Sequence, residues 1–376
     1  MTRPDSRRPR LVVVSQDQFG YLTDSYMYCK YLRADFDITY IGWDFGLPAA
    51  SLGGVTVFNL PRVGGKIRRM LAFLWSALRV VRQGDFDLLF VEQFPFCSFV
   101  LLFGGRRSRT ILDIRTGYVR DSVPMRILVN RMIWLESLAF PLVMIISESL
   151  RRFLGIPAAI SQVLPLGAES LEIPPKAFTG LRLFYVGSLD YRHIDETVRG
   201  LDLFLRRRQE PVQATYDIVG FGSPESEDRL RQAINASCSP EQIIFHGRVP
   251  NAALRPFLER NTVGVAFIPL KKHYDCQPAT KVFEYLLAGM AVIATRTREN
   301  ERVVNDNNGV LTADNAEAFC EGLEALWMRL GTFDSGRIRA ESAEYAWDRI
   351  VGDILRPSLL RVLAKERVAA SPGLTE

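Results

Sequence analysis

What most constrains the fold of this 376-residue chain is an alternation of short apolar runs with helix-length segments, made once in each half. In the first half, residues 11–15, 38–42, 55–59, 87–93, 110–114 and 144–147 read as strands, and 24–33, 66–82 and 123–140 as helices. Several of these strands are apolar on both faces. Continuous apolar strands separated by helices predict a parallel sheet covered on both sides. A stretch rich in proline, glycine and small residues follows at 161–180 and reads as a domain boundary. The second half repeats the pattern with strands at 181–187, 216–222, 242–247, 263–269 and 291–295. Its helices are expected at 195–208, 225–236, 252–259, 280–288 and 316–330. The expected fold class is therefore α/β, with two Rossmann-like domains and parallel sheets. Each binds ligand at the carboxyl ends of its strands, and the two face each other across an interdomain cleft.

Composition narrows the chemistry. The five cysteines (Cys29, Cys97, Cys238, Cys276, Cys320) are scattered without a CxxC pair, which points to reduced thiols in a cytoplasmic protein. Three histidines argue against a multi-histidine metal centre. The chain enters an apolar strand soon after MTRPDSRRPR, with no apolar leader core or cleavage site. Two longer apolar stretches, 88–104 and 132–147, are interrupted by Glu92 and Pro95 and by Glu136 and Pro141, and read as buried elements. Residues 1–168 hold 21 Lys and Arg against 13 Asp and Glu, whereas the remainder holds 26 against 29. A basic half can face anionic lipid or a phosphorylated substrate, or simply be a solvated surface. Segment 64–83 sharpens that choice: Arg68, Arg69, Arg79 and Arg82 flank Leu71, Phe73, Leu74, Trp75 and Leu78. Such a helix either lies on an anionic bilayer, peripheral at the inner face of the plasma membrane, or packs on the core with a basic rim. No nucleic-acid partner is expected.

The segment richest in chemistry is 274–311. With Thr280 as N-cap, Lys281 falls in the first turn of a helix, where a cation opposes the macrodipole. That placement becomes advantageous if an anion binds there, because backbone amides and an ammonium then converge on phosphate. Glu284, one turn on, can accept from ribose hydroxyls. The plain alternative is a solvated Lys–Glu pair. A second segment, FYVGSLDYRH at 184–193, places Arg192 and His193 at the mouth of the same sheet. Fixed cations there stabilise a departing diphosphate; alternatively Arg192 is a loop arginine paired with Asp190 or Asp195. Gly220 and Gly222 suggest a tight turn open to a ligand, without the full dinucleotide spacing. In the first half, Asp113 and Arg115 end a buried strand, either pointing into the cleft or forming a structural pair. Gly20 can admit substrate at the first strand-to-helix loop. Asp85-Phe86-Asp87 imitates a metal-binding DxD, but it precedes a strand and reads as a turn, so no metal site is expected.

Taken in order, VG at 186–187, VGFG at 219–222, FHGRVP at 245–250, PATKVFEYLLAG at 278–289 and VIAT at 292–295 resemble the retaining, family 4 (group 1) glycosyltransferases of the GT-B fold. LPLGAE at 164–169 resembles their interdomain hinge, and the helix around Trp347 the one that crosses back to the first domain. The resemblance implies an acceptor-side domain at 1–168, a donor domain at 169–343, a returning helix at 344–365 and a loose tail at 366–376. It further implies transfer of a hexose from a UDP- or GDP-sugar, without permanent cofactor, to a glycan or lipid-linked acceptor in cell-surface polysaccharide or glycolipid assembly. Lys281 and Arg192 would contact the diphosphate and Glu284 the ribose, while Pro278, Ala279 and Thr280 offer amides. Arg115 stands where many relatives carry a histidine near the donor sugar. Cys276 replaces the first of two glutamates spaced by eight, leaving Asp275 to meet sugar hydroxyls. Gly187-Ser188 replaces Gly-Arg, with His193 near a lysine position. These departures keep open a catalytically degenerate nucleotide- or glycan-binding partner subunit. A sugar-nucleotide epimerase fits poorly with so few histidines.

Overall fold

A computed structural model describes residues 7–83, 86–104, 107–210 and 212–369. The chain divides into two compact units, the first running to Leu166 and resuming at Trp347, the second spanning Gly167–Ala346.

Unit 1 runs β1 (Arg10–Val14), α1 (Thr23–Leu32), β2 (Asp37–Asp44), β3 (Val55–Pro61), α2 (Lys66–Gln83), β4 (Leu88–Glu92), α3 (Ser98–Phe103), β5 (Thr110–Ile114), α4 (Val123–Ser137), β6 (Leu142–Ile145), α5 (Glu148–Leu154) and β7 (Ser161–Val163). All seven strands are parallel, in the order β3-β2-β1-β4-β5-β6-β7. Residues 11–14, 88–92 and 110–114 are buried throughout, as continuous apolar strands between two helical layers must be. The order reverses between β1 and β4, and right-handed crossovers place α1 on one face and α2, α3, α4 and α5 on the other.

Unit 2 runs β8 (Leu181–Ser188), α6 (Ile194–Arg206), β9 (Ala214–Phe221), α7 (Pro224–Asn235), β10 (Ile243–Gly247), α8 (Arg255–Arg260), β11 (Val263–Ala266), α9 (Thr280–Leu287), β12 (Ala291–Thr295), α10 (Asn300–Val303), β13 (Gly309–Thr312), α11 (Ala316–Met328) and α12 (Ser335–Glu341). Its six strands are also parallel, ordered β10-β9-β8-β11-β12-β13. Its core is one cluster in which Phe184, Tyr185, Tyr216, Phe204 and Tyr285 are among the bulkiest members. The chain then returns to unit 1 with α13 (Trp347–Arg349), a π-helical turn at Ile350–Leu355 and α14 (Arg356–Ala369). Trp347, 1% exposed, meets the Tyr28 ring of α1 edge-on at 5.8 Å, which fixes the return.

The parallel α/β architecture is the expected one, and the differences are local. Residues 161–163 of the expected linker form the edge strand β7, and β13, α3 and α5 were not anticipated. The tail expected from 366 is helical to Ala369, and its remainder, 370–376, lies outside the described residues. Asp85 also lies outside them, while Asp87 accepts a hydrogen bond from the Arg10 amide at 2.8 Å and so serves the start of β1. Among the described residues no helix is long and apolar enough to cross a membrane.

Candidate functional site

The residues predicted to meet a diphosphate gather in unit 2, where its strand order reverses between β8 and β11, the place at which open α/β sheets bind ligands. β8 ends in Gly187-Ser188, and the next five residues bend sharply into α6. Tyr191 and His193 both adopt left-handed conformations, with φ of 59° and 52°. Non-glycine residues occupy that region only where surrounding contacts enforce it. Several do so here. The Asp190 carboxylate accepts from the Ser223 amide at 2.8 Å, which holds its pKa below the ordinary range. The Ser188 hydroxyl accepts from the Asp190 amide, and the Tyr185 hydroxyl donates to the Ser188 carbonyl at 2.5 Å.

Arg192 is thereby held over the ring of Tyr274, 4.6 Å from its centroid, with Nη1 buried and without a hydrogen-bond partner. Neither expected carboxylate is available to it. Asp190 is committed to Ser223, and Asp195 pairs with Arg199 at 2.9 Å. His193 is exposed and stands at the start of α6 without a side-chain capping bond.

Lys281 approaches from α9. The cap of that helix is Ala279 rather than Thr280, which is its first helical residue, and no side chain caps it. Of the first amides, that of Val282 turns back to the Ala279 carbonyl at 3.0 Å, leaving those of Thr280 and Lys281 to face outward. Pro278, Ala279 and Thr280 are all partly buried. The correction makes Lys281 the second helical residue rather than the first, still within the first turn at the positive end of the helix dipole. Its ammonium lies 3.9 Å from the centroid of the Tyr185 ring. A Cβ on Gly187 (φ 148°) would come within 2.8 Å of Lys281 Nζ, so glycine there makes room for the cation. Burial pushes the Lys281 ammonium down to about 7; the Arg192 charge adds to this and Glu284 opposes it. Glu284 is itself raised by burial, with Lys281 opposing. A cation–π contact gives about 1–2 kcal/mol, less than the several kcal/mol lost by desolvating an ammonium. Arg192 and Lys281 are two cations whose only acidic neighbour is Glu284, which acts on Lys281 and whose own ionised form burial disfavours, so the charge of the site is incomplete without an anion.

Other expected donor-site residues have structural duties. A Cβ on Gly220 would lie 2.3 Å from the Gly187 carbonyl, and one on Gly222 would lie 2.9 Å from the Asp190 carboxylate. Both glycines therefore admit the neighbouring 187–190 loop rather than leaving open space. Asp275 is held by Arg298, accepting from its amide at 2.8 Å and its guanidinium at 2.9 Å. Cys276 is 4% exposed, and burial pushes its thiol up to about 11. Tyr185 and Tyr274, which seat the two cations, were missed in sequence. The only signal was a tyrosine within a largely apolar strand, two residues before a glycine.

In unit 1, Asp113 and Arg115 do not stand open. Arg115 Nε donates to Asp24 at 2.5 Å and Nη1 to the Leu164 carbonyl at 2.7 Å, tying β5 to α1 and to the chain leaving β7. Asp113 lies 3.9 Å from Arg115, fully buried, with neither oxygen hydrogen-bonded. Burial pushes Asp113 up to about 7 and the neighbouring Glu92 up to about 8. This is the structural pair left open above, enlarged by Asp24 and Glu92. Gly20 (φ 91°) is required because a Cβ there would meet that of Ala50 at 2.4 Å. Among the described residues no group of three or more histidine, cysteine, aspartate or glutamate side chains is placed to hold a metal ion.

Residues 180–329 match the family described as Glycosyl transferases group 1. No curated protein matches the chain in sequence. Among solved structures, the chain is similar to a glycosyltransferase from Rickettsia africae, with a TM-score of 0.71, 12% identity and coverage of 95% of this chain and 99% of that one. It is similar to Anabaena HepE in complex with UDP and glucose (TM-score 0.70, 13% identity, 93% and 99% covered). A lipopolysaccharide outer core galactosyltransferase, WaaB, matches with a TM-score of 0.69 and 10% identity over 93% and 99%. These likenesses establish the architecture of both units as that of GT-B glycosyltransferase structures.

Proposed function

We propose that this chain is a metal-independent glycosyltransferase that moves a hexose from a UDP- or GDP-sugar to a glycan or lipid-linked acceptor. Transfer retains anomeric configuration and serves cell-surface polysaccharide or glycolipid assembly. The observation that carries the reading is the pair Lys281 and Arg192. They meet at the mouth of the unit 2 sheet beside an uncapped helix start, with Arg192 Nη1 orphaned and Lys281 depressed to about 7. A diphosphate supplies the missing charge to both. The match over 180–329 includes every one of these residues.

Loss of the nucleotide places negative charge on the β-phosphate. Cations already in position stabilise that charge without reorganising, which lowers the barrier where a mobile counterion does not. Lys281, Arg192 and the α9 amides together meet the diphosphate charge, which is the ground for metal independence. Glu284, one turn beyond Lys281, is assigned to the ribose hydroxyls. Unit 1, with its excess of basic residues, is assigned to the acceptor. Retention rests on the family resemblance.

Binding is expected to depend on pH in a defined sense. An anion favours the protonated Lys281, so UDP binding above pH 7 takes up a proton. Its affinity falls as pH rises, approaching tenfold per unit. The phosphate's own second ionisation, near about pH 6, is complete there and does not contribute. Calorimetric titration with UDP and GDP in buffers of different ionisation enthalpy reads both quantities, and a flat profile from pH 7 to 9 sinks the assignment. A thermal-shift screen across UDP-, GDP- and ADP-sugars then identifies the donor, since a bound donor raises Tm by mass action.

A second reading, a nucleotide-binding partner subunit without turnover, is favoured by buried Cys276 and by the commitment of Asp275 to Arg298. Donor binding without hydrolysis or transfer, across a panel of acceptors, selects it.

A further inference from the structure

Three helices of unit 1 leave an apolar surface that no described part of that unit covers. On α2, Ile67, Leu71 and Trp75 recur every fourth residue and are 78%, 61% and 71% exposed, while Phe73, Leu74, Ala77 and Val81 point into the core. At 100° per residue the exposed stripe lies beside the buried face, with Arg68 and Arg79 along its far side and Arg82 at its C-terminal end. The helix is thus apolar over a wider arc than its core contact uses. The next helices continue the surface. α3 exposes Phe99, Leu102 and Phe103, and α4 buries only Ile133 and Ser137 among its 15 residues while Ile127 and Leu128 stand in solvent. The three are neighbours on one face of the sheet. Arg82 Nε donates to the Phe103 carbonyl at 2.7 Å, and the Ser98 amide and hydroxyl donate to Glu136 of α4.

Charge selects the occupant. α2 carries five Lys or Arg and no acid, so none of its cations has a partner along its own helix. α3 is uncharged, and the one acid of α4, Glu136, is bonded to Ser98. An apolar patch of this kind marks a site of association. A protein interface core is apolar but depleted of charge, whereas a bilayer surface accepts aromatic and aliphatic side chains between arginines whose heads reach the lipid phosphates. We propose that the α2–α3–α4 face of unit 1 binds the surface of an anionic lipid bilayer, with Ile67, Leu71 and Trp75 inserted and Arg68, Arg79 and Arg82 on the phosphates. The proposal is independent of the donor-site reading.

The test is sedimentation of the full chain with vesicles of phosphatidylcholine alone or mixed with roughly equal phosphatidylglycerol. The chain is expected to bind the mixed vesicles, to release at high salt and to ignore pure phosphatidylcholine. Replacing Ile67, Leu71 and Trp75 together with serine should lower partitioning about tenfold or more, and so should Arg68→Glu with Arg79→Glu. Tm and UDP affinity should stay at parental values in both variants, since none of these side chains is buried. Absence of binding to mixed vesicles, or equal binding by the serine variant, overturns the proposal. So does a parental chain that self-associates without lipid and becomes monomeric in the serine variant, because the face is then a protein contact.

Discussion

With Lys281 replaced by methionine or alanine, sugar transfer is expected to fall about a hundred- to thousandfold, the usual effect of removing one fixed stabiliser of developing charge. The fold should survive, and the methionine variant should be the more stable protein. The reason lies in the sign of the pKa shift. An unfolded lysine titrates near about 10.4, whereas burial and Arg192 bring Lys281 down to about 7. The folded chain therefore binds the proton less tightly than the unfolded chain. The resulting cost is present in full below pH 7 and fades as pH rises towards the unfolded value. Methionine fills the same space against Tyr185 without a charge, so its advantage in Tm should be greatest below pH 7 and should vanish at high pH. Loss of activity with gain of stability is the pattern of a side chain held for function. A structural lysine gives the reverse: Tm falls and transfer persists. Near-normal turnover in either variant removes Lys281 from the reaction and with it the main support for the donor site.

How much of this was legible in the sequence follows from the range over which each feature is determined. Strands buried on both faces announce themselves locally, so β1, β4, β5, β8 and β12 could be read to within a residue or two. Lys281 at a helix start was also legible, because Pro278, Gly289 and the strand beyond fix the helix from its own neighbours. Two of the four edge strands, β7 and β13, were not. Ser161-Gln162-Val163 is half polar and only half buried, and residues 309–312 follow a run of turn-forming asparagines, so neither shows a continuous apolar run. Caps differ by single backbone angles: Thr280 is the better capping residue by type, yet Ala279 occupies the extended position and Thr280 is already helical. Least legible were the partners of the charged groups. Whether Arg192 pairs with Asp190 depended on Ser223, 33 residues beyond Asp190, claiming that carboxylate first. The role of Tyr185 depended on Lys281 crossing from α9 to its ring. Such choices are made by tertiary contact, and local pattern carries no record of them.

Arg115 shows the same limit on a larger scale and leads to the second large effect. Its partner Asp24 lies 91 residues earlier, and the two are joined at 2.5 Å with side chains 11% and 9% exposed. Replacing Arg115 with alanine strips the counter-charge from buried Asp24 and leaves Asp113 with like-charged neighbours only. Breaking such a pair costs about 3–5 kcal/mol, several times what an exposed pair contributes. For a unit of this size that is a fall in Tm of roughly 6–20 °C. The loss should also depend on pH. Glu92 and Asp113 have folded pKa values raised to about 8 and 7, so they favour the fold most at low pH and lose that contribution as pH climbs from the ordinary carboxylate range through those values. Removing Arg115 takes away the cation that opposes the rise of Asp113, so the variant should be closest to the parent near pH 5 and furthest from it near pH 8. Thermal melts across that range give the comparison. Turnover per folded molecule, measured well below the variant's Tm, separates this account from a role at the donor sugar. A structural clamp leaves turnover near the parental value, whereas a group at the reacting sugar loses turnover with Tm unchanged, and the second result would place Arg115 at the reacting centre.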